Sequence, residues 1–188
     1  MKKIILFALM AVAAISANAQ DKKFHITPHL GIGYMNVSGM GDYCDYVTAK
    51  IGGEFEFMVA EQFGISAGVD YQYGVCPEKD NVKYEFGTVN IPVLAQYHFG
   101  NFAVKAGVQP TFLAEAKAKY STSHVSASGD FKDECESFQL FVPVALTYTF
   151  NVPVTIGLEC DIPCTKLSKS GYDTSRITTV MVTAGYRF

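Results

Sequence analysis

Eight stretches of this chain alternate apolar or small side chains with more polar ones at every second position, and no other feature constrains the fold as strongly. They run at about residues 24–36, 47–59, 64–74, 86–99, 102–117, 137–150, 153–167 and 176–188. A period of two is the period of a strand, because successive side chains leave opposite faces of an extended chain. In the fifth stretch Phe102, Val104, Ala106, Val108, Pro110, Phe112 and Ala114 share one face, and Ala103, Lys105, Gly107, Gln109, Thr111, Leu113 and Glu115 share the other. Each stretch is long enough to cross an apolar layer, which takes about 9 to 11 tilted strand residues. No comparable helical periodicity competes, and no stretch after the N-terminal leader reaches the roughly 18 consecutive apolar residues of a membrane helix.

The connections alternate in length. The second, fourth and sixth are tight ("EQFG", "GN", "NVP"), whereas the first, third, fifth and seventh are long and polar, the longest running from Lys119 to Glu136. That asymmetry predicts an all-β fold: an eight-stranded antiparallel up-and-down transmembrane β-barrel with short periplasmic turns and long extracellular loops, closed between its first and last strands. Pro28, Pro92, Pro110, Pro143 and Pro163 fall inside the expected strands and each removes a ladder hydrogen bond, so bulges or strand ends must absorb them.

Alternation alone fits a membrane barrel and also a soluble periplasmic ligand-binding barrel with a greasy interior. The more polar face is rich in Gly, Thr, Ala and Gln with scattered charges, whereas a water-facing surface carries many more Lys and Glu. The apolar face ends in rings at two heights. Phe24, Phe57, Tyr97, Phe99, Phe102, Tyr148, Phe150, Tyr186 and Phe188 lie toward the short turns, and Tyr34, Tyr71, Tyr73, Phe86, Phe112 and Phe138 toward the long loops. Two aromatic girdles flanking a Val, Ile, Leu and Ala band favour the membrane barrel.

The N-terminus reads as a secretory signal peptide over residues 1–19: Lys2 and Lys3, an apolar run from Ile4 to Ile15, and Ala17-Asn18-Ala19 as the cleavage site, so that Ala19 and Gln20 flank the cut and residues 20–188 form the barrel domain. Loss of Lys2 and Lys3 from 15 basic residues set against 18 acidic ones leaves a net charge near −5. That sign argues against nucleic acid as a partner.

On the inward face the expected strands place His25, His29, Lys50, Glu54, Glu56, Asp70, Lys105, Glu115, Lys117, Glu159, Asp161 and Arg187. An eight-stranded barrel is only wide enough for side chains to fill, so mixed charges there predict a self-satisfying network that plugs the lumen; a small gated pore is the alternative. His25 and His29 stand roughly 13 Å apart along a strand, too far to share a metal ion. The "GIG" at Gly31 to Gly33 lacks the spacing and helix of a nucleotide loop. Ser121, Ser123 and His124 in the longest loop supply the residue types of a nucleophile and base, the only basis for reading a lipid-modifying enzyme.

The five cysteines would enter an oxidising compartment. Cys44 with Cys76, and Cys135 with Cys164, are the candidate disulfides, each tying neighbouring outer loops; Cys160 and Cys164 are too far apart on one strand to bridge. Cys160 is then left as a small apolar residue facing lipid.

With strands and loops placed, "FGTVNIPVLAQYHFG" (Phe86 to Gly100) followed by "VKAGVQPTFLAEAK" (Val104 to Lys117) resembles the small PorT-like outer-membrane β-barrel family of Bacteroidetes-type bacteria, whose architecture is related to that of OmpA and OmpX. Ile91, Pro92, Val93, Leu94 and Gly107 fit its pattern, while Asn90 stands where an acid is more usual. The resemblance implies integral insertion in the bacterial outer membrane, contact with outer-membrane lipid and lipopolysaccharide, and assembly by the barrel-insertion machinery. It also implies that Tyr186 and Phe188 of the closing "VMVTAGYRF" form an insertion signal. It brings no catalytic residue, cofactor or metal. The sequence therefore predicts a non-enzymatic structural, accessory or interaction protein that meets a protein partner through its extracellular loops.

Overall fold

The computed structural model describes residues 23–38, 44–75, 82–122, 125–130, 135–167 and 176–188. The expected signal peptide with Ala19 and Gln20, as well as Cys76, Ser123 and His124, lies outside the described residues.

Ten strands build eight staves: β1 (Phe24–Ser38), β2 (Cys44–Met58), β3 (Phe63–Val75), β4 (Val82–Asn90), β5 (Val93–Phe99), β6 (Phe102–Thr122), β7 (Val125–Asp130), β8 (Phe138–Thr149), β9 (Val154–Pro163) and β10 (Arg176–Tyr186). Every pairing is antiparallel, and β1 pairs with β10 from His29↔Gly185 to Ser38↔Arg176, which closes the barrel and leaves no edge between first and last strands. The expected fourth strand is β4 and β5 with a break at Ile91 and Pro92, both lying between β3 and β6. β6 continues past the expected end at Lys117 and forms a hairpin with β7, a strand the alternation did not predict. Beyond β10, the Arg187 amide donates to the Pro153 carbonyl (2.7 Å) and the Phe188 amide to the Ile26 carbonyl (2.9 Å), so the last two residues are tied into the short-turn rim.

The prolines fall where ladders are already interrupted. Pro92 occupies the β4–β5 break, where its carbonyl accepts from the Gly68 amide (2.9 Å) and the Pro110 carbonyl accepts from the Ile91 amide (2.8 Å). Pro143 lies in the gap of the β6–β8 ladder between Ala106↔Val144 and Gln109↔Phe141. Pro28 precedes the start of the β1–β10 ladder, and Pro163 ends β9. The β5–β6 hairpin turns through Gly100 and Asn101, and Gly100 takes φ 61°, a left-handed conformation that needs no Cβ.

The outward face is apolar on every stave. Leu30, Ile32, Ile51, Val69, Leu158 and Val182 are each more than half exposed. A monomer in water rarely exposes an apolar patch above a few hundred Å², so this surface demands apolar surroundings. At the short-turn rim, rings pack along and between staves: Phe63–Tyr97 (5.0 Å between centroids), Tyr97–Phe99 (6.2 Å), Phe99–Phe102 (5.7 Å), Phe102–Tyr148 (4.8 Å), Tyr148–Phe150 (4.9 Å) and Tyr186–Phe188 (4.7 Å). Phe63, which opens β3, joins a girdle that sequence reading drew without it. At the loop rim Phe112 and Phe138 pair at 5.5 Å. Phe86 does not belong to that upper girdle: it is 1% exposed and points inward. Its even number gives it the parity of Leu94 and Gln96 in the same stave, both of which are also buried.

Candidate functional site

The inward face divides into layers. Nearest the short turns, Glu56 of β2 accepts from Arg187 (Nη2 to Oε2, 2.9 Å) and lies 2.5 Å from Nε2 of His98 on β5, while His25 Nδ1 sits 3.2 Å from the Phe188 carbonyl. One turn of the pleat higher, a single oxygen of Glu54 accepts from Lys105 Nζ (2.6 Å) and Gln96 Nε2 (2.8 Å). Above these, Lys50 Nζ reaches Glu159 Oε1 (2.5 Å) and lies 3.8 Å from Asp70 Oδ2, and His29 Nε2 stands 3.0 Å from Asp70 Oδ1. β2 and β9 are separated in the sheet by β1 and β10, so the Lys50–Glu159 pair is a strut across the lumen. A neutral layer follows, in which Asn90 Nδ2 donates to Gln72 Oε1 (3.0 Å) and Gln72 Nε2 to Thr48 Oγ1 (3.1 Å).

At the loop end the lumen turns apolar. Met35, Val37, Tyr46, Phe86, Leu113, Ala116, Cys135, Phe141, Leu167 and Ile177 form one buried cluster, with Tyr46 and Phe86 edge to face at 5.4 Å. The segments flanking β8 and β9 fold over it: the Leu113 amide donates to the Ser137 carbonyl (2.9 Å), the Glu136 amide to the Leu167 carbonyl (2.7 Å), and the Cys164 amide to the Leu140 carbonyl (2.8 Å). This plug went unread in the sequence. Its staves simply change from polar to apolar inward residues toward their loop ends, as in His25, Thr27, His29 and then Met35 and Val37 of β1.

Local geometry explains how charges fit so narrow a space. Gly52 faces Asp70, and a Cβ on it would lie 1.9 Å from Asp70 Oδ1 and 2.5 Å from the Val69 carbonyl. Glycine at this position is what gives the Asp70 carboxylate room beside Lys50. Cavities between the layers have volumes of about 10, 20 and 50 Å³, space for about one to a few waters each.

His25, His29, Lys50, Glu54, Glu56, Asp70, Lys105, Glu159, Asp161 and Arg187 are therefore all inward. Glu115 and Lys117 are not, which corrects the lumen set. Gly87 pairs with Glu115 but Thr88 with Leu113, so Ala114 is the extra residue of a β-bulge and the facing reverses beyond it. Leu113 and Ala116 point in, while Glu115 and Lys117 pair with each other at 3.2 Å on the outside, their side chains 44% and 40% exposed. His98 and Gln96, absent from the expected set, join the network; their parity with Leu94 was the available signal.

The Cys135–Cys164 bridge is also corrected. Cys164 is an exposed free thiol while Cys135 is turned into the plug, so no bond joins them. Cys160 shares the outward face with Leu158 and Ile162. Cys44 pairs with Val37 in the ladder, its side chain outside the described residues, so the Cys44–Cys76 pairing lies beyond what the structure describes. Ser121 pairs with Ser126 in the β6–β7 hairpin. Among the described residues no group of three His, Cys, Asp or Glu side chains is arranged to hold a metal ion.

Comparison with known proteins supplies the frame. The sequence model of a family described as outer membrane protein beta-barrel domain matches residues 18–171. Neisserial surface protein A is similar in structure, with a TM-score of 0.60 at 10% identity over 88% of this chain and 97% of that one. Ail, the attachment invasion locus protein of Yersinia pestis, gives a TM-score of 0.56 at 16% identity over 88% of this chain and 99% of its own. Ail in complex with the heparin analogue sucrose octasulfate gives 0.54 at 15% identity, with the same coverage. At such identities the likeness is one of fold. No curated protein matches the chain.

Proposed function

The chain belongs to the family of outer membrane protein β-barrel domains, and from that premise we propose that it is a non-enzymatic integral protein of the bacterial outer membrane that works as an accessory or interaction protein through its extracellular loops. The observation that carries this reading is the sealed lumen. Three tiers of ion pairs and an apolar plug fill the interior, and the outer wall is committed to lipid. The loop end is then the surface left to meet a partner outside the cell, and the β6–β7 hairpin belongs to it.

In this reading the leader is removed between Ala19 and Gln20, the tight turns lie in the periplasm, and Tyr186 and Phe188 present the insertion signal at the periplasmic girdle. The PorT-like resemblance of Phe86 to Lys117 supports membership among barrels of Bacteroidetes-type bacteria, with lipopolysaccharide around the outer half. The test is a variant in which residues 121–130 are replaced by a short turn, leaving Cys135 in the plug. It is expected to reach the outer membrane and keep the altered gel mobility of a folded barrel, yet lose the partner that crosslinks to the loops of the natural protein in intact cells. A partner still crosslinked in equal yield would contradict the proposal.

A further inference from the structure

Directly beneath the apolar plug lies a cavity of about 10 Å³ whose wall includes Asn90, Thr111, Gln139 and Asp161. All four side chains are at least 97% buried. Each carries a polar atom with no hydrogen-bond partner among the described residues: Asn90 Oδ1, Thr111 Oγ1, Gln139 Nε2 and Asp161 Oδ1. Buried polar atoms are rarely left so, and four on one small cavity make a shared occupant the economical explanation. The volume is that of one water-sized sphere. The two ends of the Gln139 amide exchange by rotation about its last bond, which turns its oxygen to the cavity in place of the unpartnered nitrogen.

Charge decides between a water and an ion. Asp70, Glu159 and Asp161 surround a single lysine, Lys50, with His29 against Asp70. The other fixed cations of the lumen are engaged lower down, Lys105 with Glu54 and Arg187 with Glu56. A water would satisfy the hydrogen bonds but leave the excess negative charge wherever Asp161 and Glu159 do not share a proton, and an uncompensated buried carboxylate costs far more than an unmade hydrogen bond. A divalent ion takes several carboxylates, whereas this wall offers one carboxylate and neutral oxygens. The geometry points to a binding site for one dehydrated monovalent cation of the sodium or potassium class, held by Asp161, Asn90, Thr111 and the Gln139 amide.

The test uses the folded mature protein in detergent. Thermal unfolding is followed in sodium or potassium chloride and in choline chloride at equal ionic strength. Above half-saturation the unfolding constant should fall about tenfold for each tenfold rise in the small cation. The dependence should vanish in Asp161→Asn and weaken in Thr111→Val, which serves alone where the first variant does not fold. Crystals grown with thallium should show an anomalous peak among Asn90, Thr111 and Asp161. Identical unfolding in choline and in sodium or potassium, a cation effect unchanged in both variants, or a cavity with water density and no anomalous signal would overturn the site and assign Asp161 a proton instead.

Discussion

Lys50 and Glu159 meet across the lumen at 2.5 Å, joining β2 to β9 over two intervening strands. Both belong to a barrel whose outside is greasy, so their environment has little water to compensate a lost partner. Removing one member of a buried pair costs about 3 to 5 kcal/mol because the other charge is stranded, while removing both is often close to neutral. Lys50→Met is expected to destabilise the folded barrel by about that amount. The combination Lys50→Met with Glu159→Gln and Asp70→Asn should recover most of the loss. Urea unfolding in lipid vesicles measures both.

The outward face should respond to charge according to height. Val182 of β10 is 58% exposed and pairs with Ile32 and Leu158 at mid-height. Val182→Lys is predicted to cost about 2 to 4 kcal/mol of folding into vesicles, whereas a lysine in place of Glu115 near the loop rim should cost about 0 to 1. Equal costs at the two heights would show that the outer wall does not face lipid.

Gly52→Val tests the seat of Asp70. The new side chain meets Asp70 Oδ1 and the Val69 carbonyl at distances no Cβ tolerates. Overpacking of this kind costs about 1 to 3 kcal/mol, and stranding Asp70 away from Lys50 adds to it. A fall in refolding yield and urea midpoint is expected, while Gly53→Val on the same strand, where a Cβ meets nothing within 4 Å, should change little.

Phe86→Ala separates an inward ring from an outward one. Truncating a ring fully buried in the plug should cost about 3 to 5 kcal/mol, much more than Phe112→Ala at the exposed upper girdle. Parallel unfolding of the two variants checks the assignment.

The alternation was sufficient to reveal eight staves, tight turns on one rim and closure of the first strand against the last, because a period of two survives wherever the ladder is regular. It could not reveal where the ladder slips. In "TFLAEAKAK" (Thr111 to Lys119) the alternation runs on without a break, yet Ala114 occupies a bulge, so Glu115 and Lys117 leave the lumen that uninterrupted parity would give them. Phe86 was legible and was misplaced, since parity alone sets it with Leu94. The plug was not legible from any one strand, because Cys135 comes from outside the expected strands and Leu167 from the last residue of one, and they meet only when β8 and β9 bring them over the lumen. Likewise the pairing of Glu56 with both His98 and Arg187 depends on sheet order, which brings together residues 42 apart in one case and at the end of the chain in the other.

The sealed lumen is tested most directly by conductance across planar bilayers containing the refolded protein. Membranes should stay at baseline current in symmetric salt, for the natural protein and equally for the Lys50, Glu159 and Asp70 triple variant, because the apolar plug blocks the path independently of the ion pairs. Reproducible single-channel steps from the natural protein would contradict a closed interior and favour the small gated pore.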